Sequence, residues 1–442
     1  SVFFGVKGTD PMDKASVIKS FETHVSSGKA VFFKKYGMDF VMGRRDGAWI
    51  HDMDGNKRLF NCHSNGGVFN LGHRNQEIID TLKSALDELD IGNHHFMSQE
   101  RTALAQQITD TMPGDLNICI FGVGGGEAVD LALKLACGHT GRSKVISATG
   151  GFHGHTGLAL TVGDAQYREP FGISTSNKIQ VPFNDTDALA QVLDKDVAAV
   201  ILETVPSTLG MVMPVEGYLQ KVRELCDNNG TLLIMDEVQS GLGRTGKLWA
   251  FEHAGITPDM VILGKGLSGG IYPIAATIIR EPLDAIFKRD PFIHISTYGG
   301  SELGCRVAKK VLQISSDPEF LDRVQEAGRK VREGLDRIQK NYAKFFTGIR
   351  QTGLMIGLEL RDEYGGPALT KAAYDQDLLM IYANNDTSVS QFLPPLTITD
   401  EEIDLVMEKL DSAMNAARKL RTALIAKEKS RGILRRFSGN DA

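Results

Sequence analysis

Cysteine is scarce in this chain of 442 residues: there are five, an odd number, widely spaced and without a C-x-x-C pair. This pattern indicates neither a disulfide framework nor a zinc site, and it favours a reducing cytoplasm. Long apolar runs are also missing, since no stretch can span a bilayer and the opening SVFFGVKGTDPMDK has too short an apolar run for a signal peptide. We therefore expect a soluble, unprocessed, cytoplasmic protein.

An excess of positive charge is missing as well. Charged residues make up 24% of the chain and the formal net charge is -6, so nothing in the composition favours nucleic acid or a membrane surface as partner. With 42% hydrophobic residues the profile is that of a globular protein, and a small-molecule ligand fits better. The length predicts a large domain together with a smaller one.

What the chain does contain is an alternation of short Val/Ile-rich runs with segments of helical period. This pattern predicts an α/β fold with a mostly parallel sheet covered by helices. Helices are expected at 127–139 and at 217–229, the second ended by Gly230. The expected strands are 117–122, 144–150, 197–203, 231–237, 260–265 and 274–279.

After about residue 320 the sequence changes character. A long charged amphipathic helix at 320–342 is followed by the strand-like segment 349–360 and by a helix from Asp400 onward, which we interpret as a separate small domain. The basic stretch at 419–437 is interpreted as a solvated helix fraying into a tail rather than as an interaction arm.

Polar and glycine residues cluster just after the predicted strands, where ligands bind in open parallel sheets. Gly124, Gly125 and Gly126 join a strand to a helix, so unblocked amides and the helix dipole form a phosphate cradle, although a merely tight turn explains them as well.

Two further predicted strands end in residues whose side chains can take part in a reaction. One ends at Asp236 and Glu237, and a carboxylate there can keep a pyridine nitrogen protonated, or alternatively bind a metal or cap a helix. The other ends at Lys265, which glycines flank; a buried lysine needs a partner or becomes an imine. Together with the glycine turn, these groups predict a site for a phosphorylated pyridine cofactor.

Eight blocks in order resemble the class III (omega-) aminotransferases, which are fold type I enzymes that depend on pyridoxal 5′-phosphate (PLP). The resemblance covers roughly residues 45 to 410. It implies a large PLP-binding domain at 66–325, with residues 1–65 and 326–442 contributing a small α+β domain. The blocks are 54–73, GGGEAVDLALK (124–134), GGFHG (150–154), DEVQSGLGRTG (236–246), GKGLSGG (264–270), STYGG (296–300), GLMIGLEL (353–360) and QFLPPLTIT (391–399).

The resemblance also assigns roles to single residues. Lys265 matches the Schiff-base lysine that moves a proton, and Asp236 matches the carboxylate at the pyridine nitrogen. Thr297 matches a threonine that reaches the phosphate of a neighbouring subunit, which implies a homodimer with shared sites. The other residues matched to the cofactor are Gly125 and Gly126 at the phosphate, Phe152 and Val238 on the two ring faces, Gln239 near the ring hydroxyl, and Glu203 nearby.

Departures from the family pattern concern the substrate. Where glutamate-using members carry an arginine that holds the α-carboxylate, this chain has Gln391, and where they carry a gating glutamate, it has Thr208. Losing only one partner would leave a buried unpaired charge at a cost of roughly 3–5 kcal/mol. The double change therefore predicts a neutral pocket instead of the usual carboxylate switch.

Some conspicuous residues receive no role in the chemistry. The histidine pairs at 94–95 and 153–155 lack metal-ligand spacing to a carboxylate or cysteine, so no metal is expected. Arg244 and Arg350 match family arginines that we interpret as structural or interface residues.

Three functions stay open on this basis. The first is transamination between an amine or amino acid and a keto acid. The second is a PLP reaction on the same scaffold without transamination: racemisation, amino migration or phosphate elimination from an amino-alkyl phosphate. The third, a protein that only binds or regulates, is disfavoured because Lys265 and Asp236 are both present.

Overall fold

The computed structural model describes residues 12–437, so most of the opening segment 1–14 and the last five residues lie outside the description. Fifteen strands occur in the described part, in chain order β1 Met42–Asp46, β2 Trp49–Asp52, β3 Arg58–Asn61, β4 Leu116–Gly122, β5 Lys144–Ala148, β6 Lys178–Val181, β7 Val197–Glu203, β8 Leu232–Asp236, β9 Met260–Leu263, β10 Ala275–Arg280, β11 Phe346–Thr352, β12 Met355–Leu360, β13 Leu378–Leu379, β14 Ile381–Ala383 and β15 Asp386–Phe392. The α-helices are Lys14–His24, Ser27–Lys35, Gln76–Leu86, Gln99–Thr109, Gly125–Thr140, Gly157–Thr161, Ala165–Arg168, Thr186–Val192, Tyr218–Asn229, Ala285–Arg289, Glu302–Ser315, Pro318–Tyr342, Gly365–Asp375 and Asp400–Phe437.

Seven strands form the central sheet in the order β4-β10-β9-β8-β7-β5-β6. The strands from β9 to β6 are parallel, whereas β10 is antiparallel to both β4 and β9. The expected α/β fold with a mostly parallel sheet is thus confirmed, and all six expected strands are present with ends that differ by at most two residues. The edge strand β6 was missed, since its four residues carry only a short apolar signal.

Helices cover both faces of this sheet. The helix Gly125–Thr140 packs on β7, β9 and β10 through a buried stripe that includes Val129, Ala132 and Leu133. The helix Glu302–Ser315 packs with Gln76–Leu86 and Gln99–Thr109 over a second apolar cluster. Both expected helices of this region are confirmed as Gly125–Thr140 and Tyr218–Asn229, and Gly230, at φ 61°, ends the latter.

Two smaller sheets accompany the central one, in the orders β1-β2-β3-β13 and β11-β12-β15-β14. The segment 349–360, expected to be one strand-like stretch, lies instead in the hairpin of β11 and β12, because Gly353 at φ 55° reverses the chain. The helices Pro318–Tyr342 and Asp400–Phe437 pack on each other and share an apolar cluster with these strands.

Arg244 connects the loop after β8 with the segments that follow β11 and β15. Its side chain is completely buried, and its guanidinium donates to the carbonyl oxygens of Leu354 (3.1 Å) and Pro394 (2.6 Å) and to Asn70 Oδ1 (2.6 Å). Burial lowers the pKa of Arg244 to about 9. All three acceptors are uncharged, which supports the interpretation of Arg244 as a structural residue.

No helix among residues 12–437 is both long enough and apolar enough to cross a membrane. All five cysteines are free thiols, and Cys62, Cys226 and Cys305 are buried.

Replacing Arg244 by Ala should lower the stability by about 3 kcal/mol or more, because the substitution leaves three buried acceptors without a donor and opens a cavity. The thermal midpoint should fall by several degrees in a circular dichroism melt. Arg332→Ala is the matched control: this exposed arginine pairs only with Asp336 one helical turn away, and its loss should cost less than about 0.5 kcal/mol. Equal melting of both variants would contradict the structural role.

Candidate active site

A cavity of about 160 Å³ opens where β7, β8 and β9 end. The parallel register places Glu203 of β7 beside Asp236 of β8, and β9 leads directly to Lys265. Polar groups from three consecutive strands of the sheet therefore meet at one edge. The cavity is lined by Gly125, Gly126, Phe152, His153, Gly154, Glu203, Val205, Asp236, Val238, Gln239, Ser240 and Lys265.

Lys265 begins a short 3₁₀ helix and has a positive φ of 39°. A non-glycine residue in this region is strained, and such strain concentrates at functional sites. Its Nζ donates a hydrogen bond to Gln239 Oε1 at 3.1 Å. Burial lowers the pKa of Lys265, while the charges of Asp236 and Glu203 oppose that shift. The fraction of neutral amine is thereby increased.

Gly66 lies against this lysine in a turn of four consecutive residues with positive φ, residues 64–67. A Cβ atom at Gly66 would lie 3.4 Å from Lys265 Cε and 3.5 Å from Nζ. The missing side chain keeps the space beside the amine free.

Asp236 is buried and both of its carboxylate oxygens accept hydrogen bonds. Oδ2 accepts from His153 Nδ1 at 2.8 Å and Oδ1 accepts from the Val238 N–H at 3.0 Å. Burial alone would lower the pKa of His153, but its hydrogen bond and attraction to Asp236, together with the charge of Glu203, raise it. The two donors fix the orientation of the Asp236 carboxylate inside the cavity.

Glu203 stands next to Asp236 and is also buried. Its Oε1 accepts the Phe152 N–H at 2.9 Å. Burial, with the charge of Asp236, raises the pKa of Glu203 to about 7, although His153, the Phe152 N–H and Lys265 favour the ionised form. Of these two neighbouring buried carboxylates, one is therefore paired with His153 and the other retains a proton near neutrality.

Glu237 points elsewhere, since successive side chains of an extended segment alternate in direction. It accepts hydrogen bonds from Thr204, Ser240 (3.1 Å) and the N–H groups of Ala250 (2.8 Å) and Phe251 (3.0 Å). All its acceptor positions are used inside the protein. Of the two acidic residues after β8, Asp236 faces the cavity and Glu237 is structural.

The glycine turn lies at the start of the helix Gly125–Thr140, with extended Gly124 before it. A Cβ at Gly126 would lie 2.7 Å from Thr156 Oγ1, and one at Gly125 would lie 3.2 Å from the methyl groups of Val238. Side chains there would fill the space in front of the first helical amides. The turn consequently keeps those N–H groups open to an anion.

The residues around the cavity fit PLP. Phe152 and Val238 supply aromatic and apolar surfaces, and the Phe152 ring is held by edge contacts with His155 (5.0 Å) and Tyr167 (5.7 Å). Gln239 Nε2 is a buried donor without a partner, which is the group that a ring oxygen of a bound ligand would satisfy.

The structure brings eight of the nine predicted cofactor residues to this cavity; Thr297 is exposed and does not line it. His153 was noticed in the sequence, but its pairing with Asp236 was not foreseen, because the two residues are 83 positions apart in the chain and meet only after folding. Ser207 and Ser240 were missed, since a lone serine carries no signal. Among residues 12–437 no three His, Cys, Asp or Glu side chains come together to hold a metal ion.

The residues expected to determine substrate choice lie outside the cavity lining. Thr208 Oγ1 donates to the Gly150 carbonyl at 3.2 Å, and Gln391 is 6% exposed within β15. Arg350 is occupied, since its Nε donates to Glu359 at 2.6 Å and its Nη1 to the Gly210 carbonyl at 2.6 Å. Among residues 12–437, no arginine belongs to the cavity lining.

Glu203→Gln should flatten the dependence of stability on pH. A carboxyl whose pKa is raised from 4.5 to about 7 on folding stabilises the protein fully below pH 4.5, and this contribution is lost as the pH rises to 7. As the pH rises through this window, the free energy of unfolding of the variant should therefore increase by up to about 3 kcal/mol relative to that of the wild type. Thermal midpoints measured across that window check the prediction, with the exposed Glu216→Gln as control. Parallel curves for wild type and Glu203→Gln would contradict it.

Comparison with known proteins agrees with this geometry. The model of the family "Aminotransferase class-III" matches residues 33–414. An uncharacterized aminotransferase of Archaeoglobus fulgidus is 53% identical over 404 residues, which cover 91% of this chain and 95% of that protein.

Solved structures show the same fold. The ornithine aminotransferase of Toxoplasma gondii is 26% identical, with a TM-score of 0.84 over 92% of this chain and 96% of that one. A second structure of the Toxoplasma enzyme, with a TM-score of 0.80, 26% identity and coverage of 92% and 99%, shows partial occupancy of PLP at its active site. The resemblance noted in the sequence is thus confirmed: the chain belongs to the class III aminotransferase family.

Proposed function

We propose that Lys265 and Asp236 carry out the central steps of amino-group transfer in the cavity at the ends of β7, β8 and β9. As a class III aminotransferase, the chain is a PLP-dependent enzyme that acts on an amine or amino acid and a keto acid. The observation that carries the assignment of the site is the convergence of the Lys265 amine, the Asp236–His153 pair and the glycine turn on one cavity.

When bound, PLP supplies a reactive carbonyl and an electron-accepting ring. The amides that follow Gly124 would hold its phosphate, and Phe152 and Val238 would contact the ring. Asp236 would hold a proton at the pyridine nitrogen, with its orientation maintained by His153 Nδ1 and the Val238 N–H. Gln239 Nε2 would donate to the ring oxygen.

Lys265 is proposed to move the proton. Its lowered pKa leaves a larger fraction of the Nζ amine neutral, and so able to accept a proton, than in an exposed lysine. The contact with Gln239 Oε1 keeps Nζ inside the cavity. The absence of a side chain at Gly66 avoids a further contact with Nζ, since a Cβ there would lie 3.5 Å from it.

Lys265→Ala should abolish turnover, lowering kcat by at least about three orders of magnitude, because the only amine that lines the cavity is lost. The fold and noncovalent PLP binding should persist, since the phosphate and ring contacts are unchanged. Single-turnover assays with an amine donor, together with a melting curve, provide the measurement. Lys247→Ala removes an exposed lysine outside the cavity as control. Near-normal turnover of Lys265→Ala would refute the assignment.

We also propose that the keto-acid substrate is not held through a carboxylate by an arginine at position 391. Asn385 donates its N–H to the Thr208 carbonyl at 2.9 Å, so the loop with Thr208 touches the hairpin whose strand β15 carries Gln391. Both positions are neutral, and Arg350 is already paired with Glu359. A charge-assisted pair is about twice as strong as a neutral hydrogen bond, so an amide grips a carboxylate less firmly than an arginine does.

On this basis 2-oxoglutarate should be a poorer acceptor than pyruvate, judged by kcat/KM at a fixed donor concentration. The double variant Gln391→Arg with Thr208→Glu should raise kcat/KM for 2-oxoglutarate by roughly tenfold, since it adds a charged anchor and its counterion. Gln391→Arg alone serves as control and should destabilise the protein, because the new buried charge has no partner. A clear preference of the wild type for 2-oxoglutarate would show that the carboxylate anchor lies elsewhere.

A homodimer with two shared sites is proposed as the working form, in which Thr297 reaches the phosphate of the other subunit. Support comes from the surface around Thr297, where large apolar side chains are exposed in the isolated chain. Contiguous exposed apolar residues are typical of a subunit interface. They include Phe292, Ile293, Ile295 and Tyr298.

We further propose a cytoplasmic location, supported by the five free thiols. The division into a large domain at 66–325 and a small domain built from 1–65 and 326–442 stays a proposal too. Its support is the parallel pairing of β3 with β13, together with an apolar cluster that joins Phe60 to residues after position 320.

A further inference from the structure

The side-chain amide of Gln239 has hydrogen-bond partners at its oxygen but none at its nitrogen. Its Oε1 accepts two hydrogen bonds, from Ser207 Oγ at 2.7 Å and from Lys265 Nζ at 3.1 Å. Its Nε2 is buried and has no partner. The two donors on the same oxygen define which way the amide faces, so that Nε2 is the end left for a ligand.

The two hydrogen bonds to Gln239 Oε1 differ in whether they can last through the whole reaction. In the proposed function Lys265 would leave Gln239 when its Nζ binds the cofactor or moves a proton. Ser207 takes no part in these movements, since it is 3% exposed and its carbonyl accepts the Gly210 N–H at 3.1 Å. Its hydroxyl is therefore the partner that can hold the Gln239 amide at every stage of the reaction.

The backbone around Ser207 is held from a second sheet. The Thr208 carbonyl accepts the Asn385 N–H at 2.9 Å, and the Gly210 carbonyl accepts Arg350 Nη1 at 2.6 Å. Neither contact touches the cavity. Together they fix the loop that presents Ser207 Oγ to Gln239.

We propose that Ser207 is a positioning residue that keeps Gln239 turned with Nε2 toward the ring oxygen of PLP. The inference rests on the proposed role of Gln239 in binding the cofactor. Without the Ser207 hydroxyl the amide can rotate and present Oε1 instead. Two oxygen acceptors then face each other, and the ionised ring oxygen loses its donor.

The test uses Ser207→Ala in the full-length protein, with two readouts that do not depend on turnover. The first is the dissociation constant of PLP, obtained by titrating the cofactor-free protein and following bound-cofactor absorbance. It should rise about 3- to 10-fold, the factor that corresponds to one hydrogen bond. The second is the pH midpoint of that absorbance, which should move upward by on the order of half a unit, because an ionised ring oxygen without a donor holds a proton more tightly.

Gln239→Ala and the double variant complete a thermodynamic cycle. Gln239→Ala should change both readouts, and adding Ser207→Ala to it should change the dissociation constant by less than about twofold, because Ser207 acts only through Gln239. Ser147→Ala is the matched control: its buried hydroxyl donates to the Val162 carbonyl at 2.7 Å, away from the cavity, and its loss should leave both readouts unaltered.

Each other outcome overturns the proposal at a different point. If Gln239→Ala changes both readouts and Ser207→Ala changes neither, Ser207 is not the positioning residue, while the proposed cofactor role of Gln239 stands. If Ser207→Ala has its full effect in the Gln239→Ala background, Ser207 acts by another route. If Gln239→Ala changes neither readout, the role of Gln239 itself is wrong.

Discussion

The in-register pairing of β7 with β8 is the constraint on which the site depends. It places Glu203 directly beside Asp236, and the next strand, β9, delivers Lys265 to the same edge. Two carboxylates and an amine are thereby buried together at one cavity, which costs free energy unless their charges are balanced. A shift of the register by one residue would turn these side chains to opposite faces and disassemble the site.

The balance of charge explains why neighbouring acidic residues behave differently. Asp236 is paired with His153, whose pKa is raised, whereas Glu203 has its pKa raised to about 7 by burial. Glu237 is next to Asp236 in the chain but is surrounded by four donors that belong to the scaffold. Acidic side chains thus pair with a histidine, hold a proton or accept hydrogen bonds from the backbone, according to their surroundings.

Contacts between the central sheet and the smaller sheets support this arrangement from outside the cavity. Arg244 binds carbonyls of the segments after β11 and β15, and Arg350 and Asn385 hold the loop that carries Ser207 and Thr208. Thr208 lies on that loop and Gln391 lies on β15.

The sequence alone predicted six strands of the mostly parallel central sheet, the glycine turn, and the candidate residues Asp236 and Lys265, because Val/Ile periodicity, glycine turns and a polar residue after an apolar run are local signals. The other candidate cofactor residues came from the family resemblance. The pairing of His153 with Asp236, the separate roles of Asp236 and Glu237, the hairpin at Gly353 and the contact of Ser207 with Gln239 were decided only by the tertiary structure. Each of these features depends on the direction in which a side chain points or on the distance between segments that are remote in the chain. Composition and residue spacing carry no information about either quantity. Burial, which sets the pKa values of Glu203, Lys265 and His153, exists only after the sheet and its helices have closed around them.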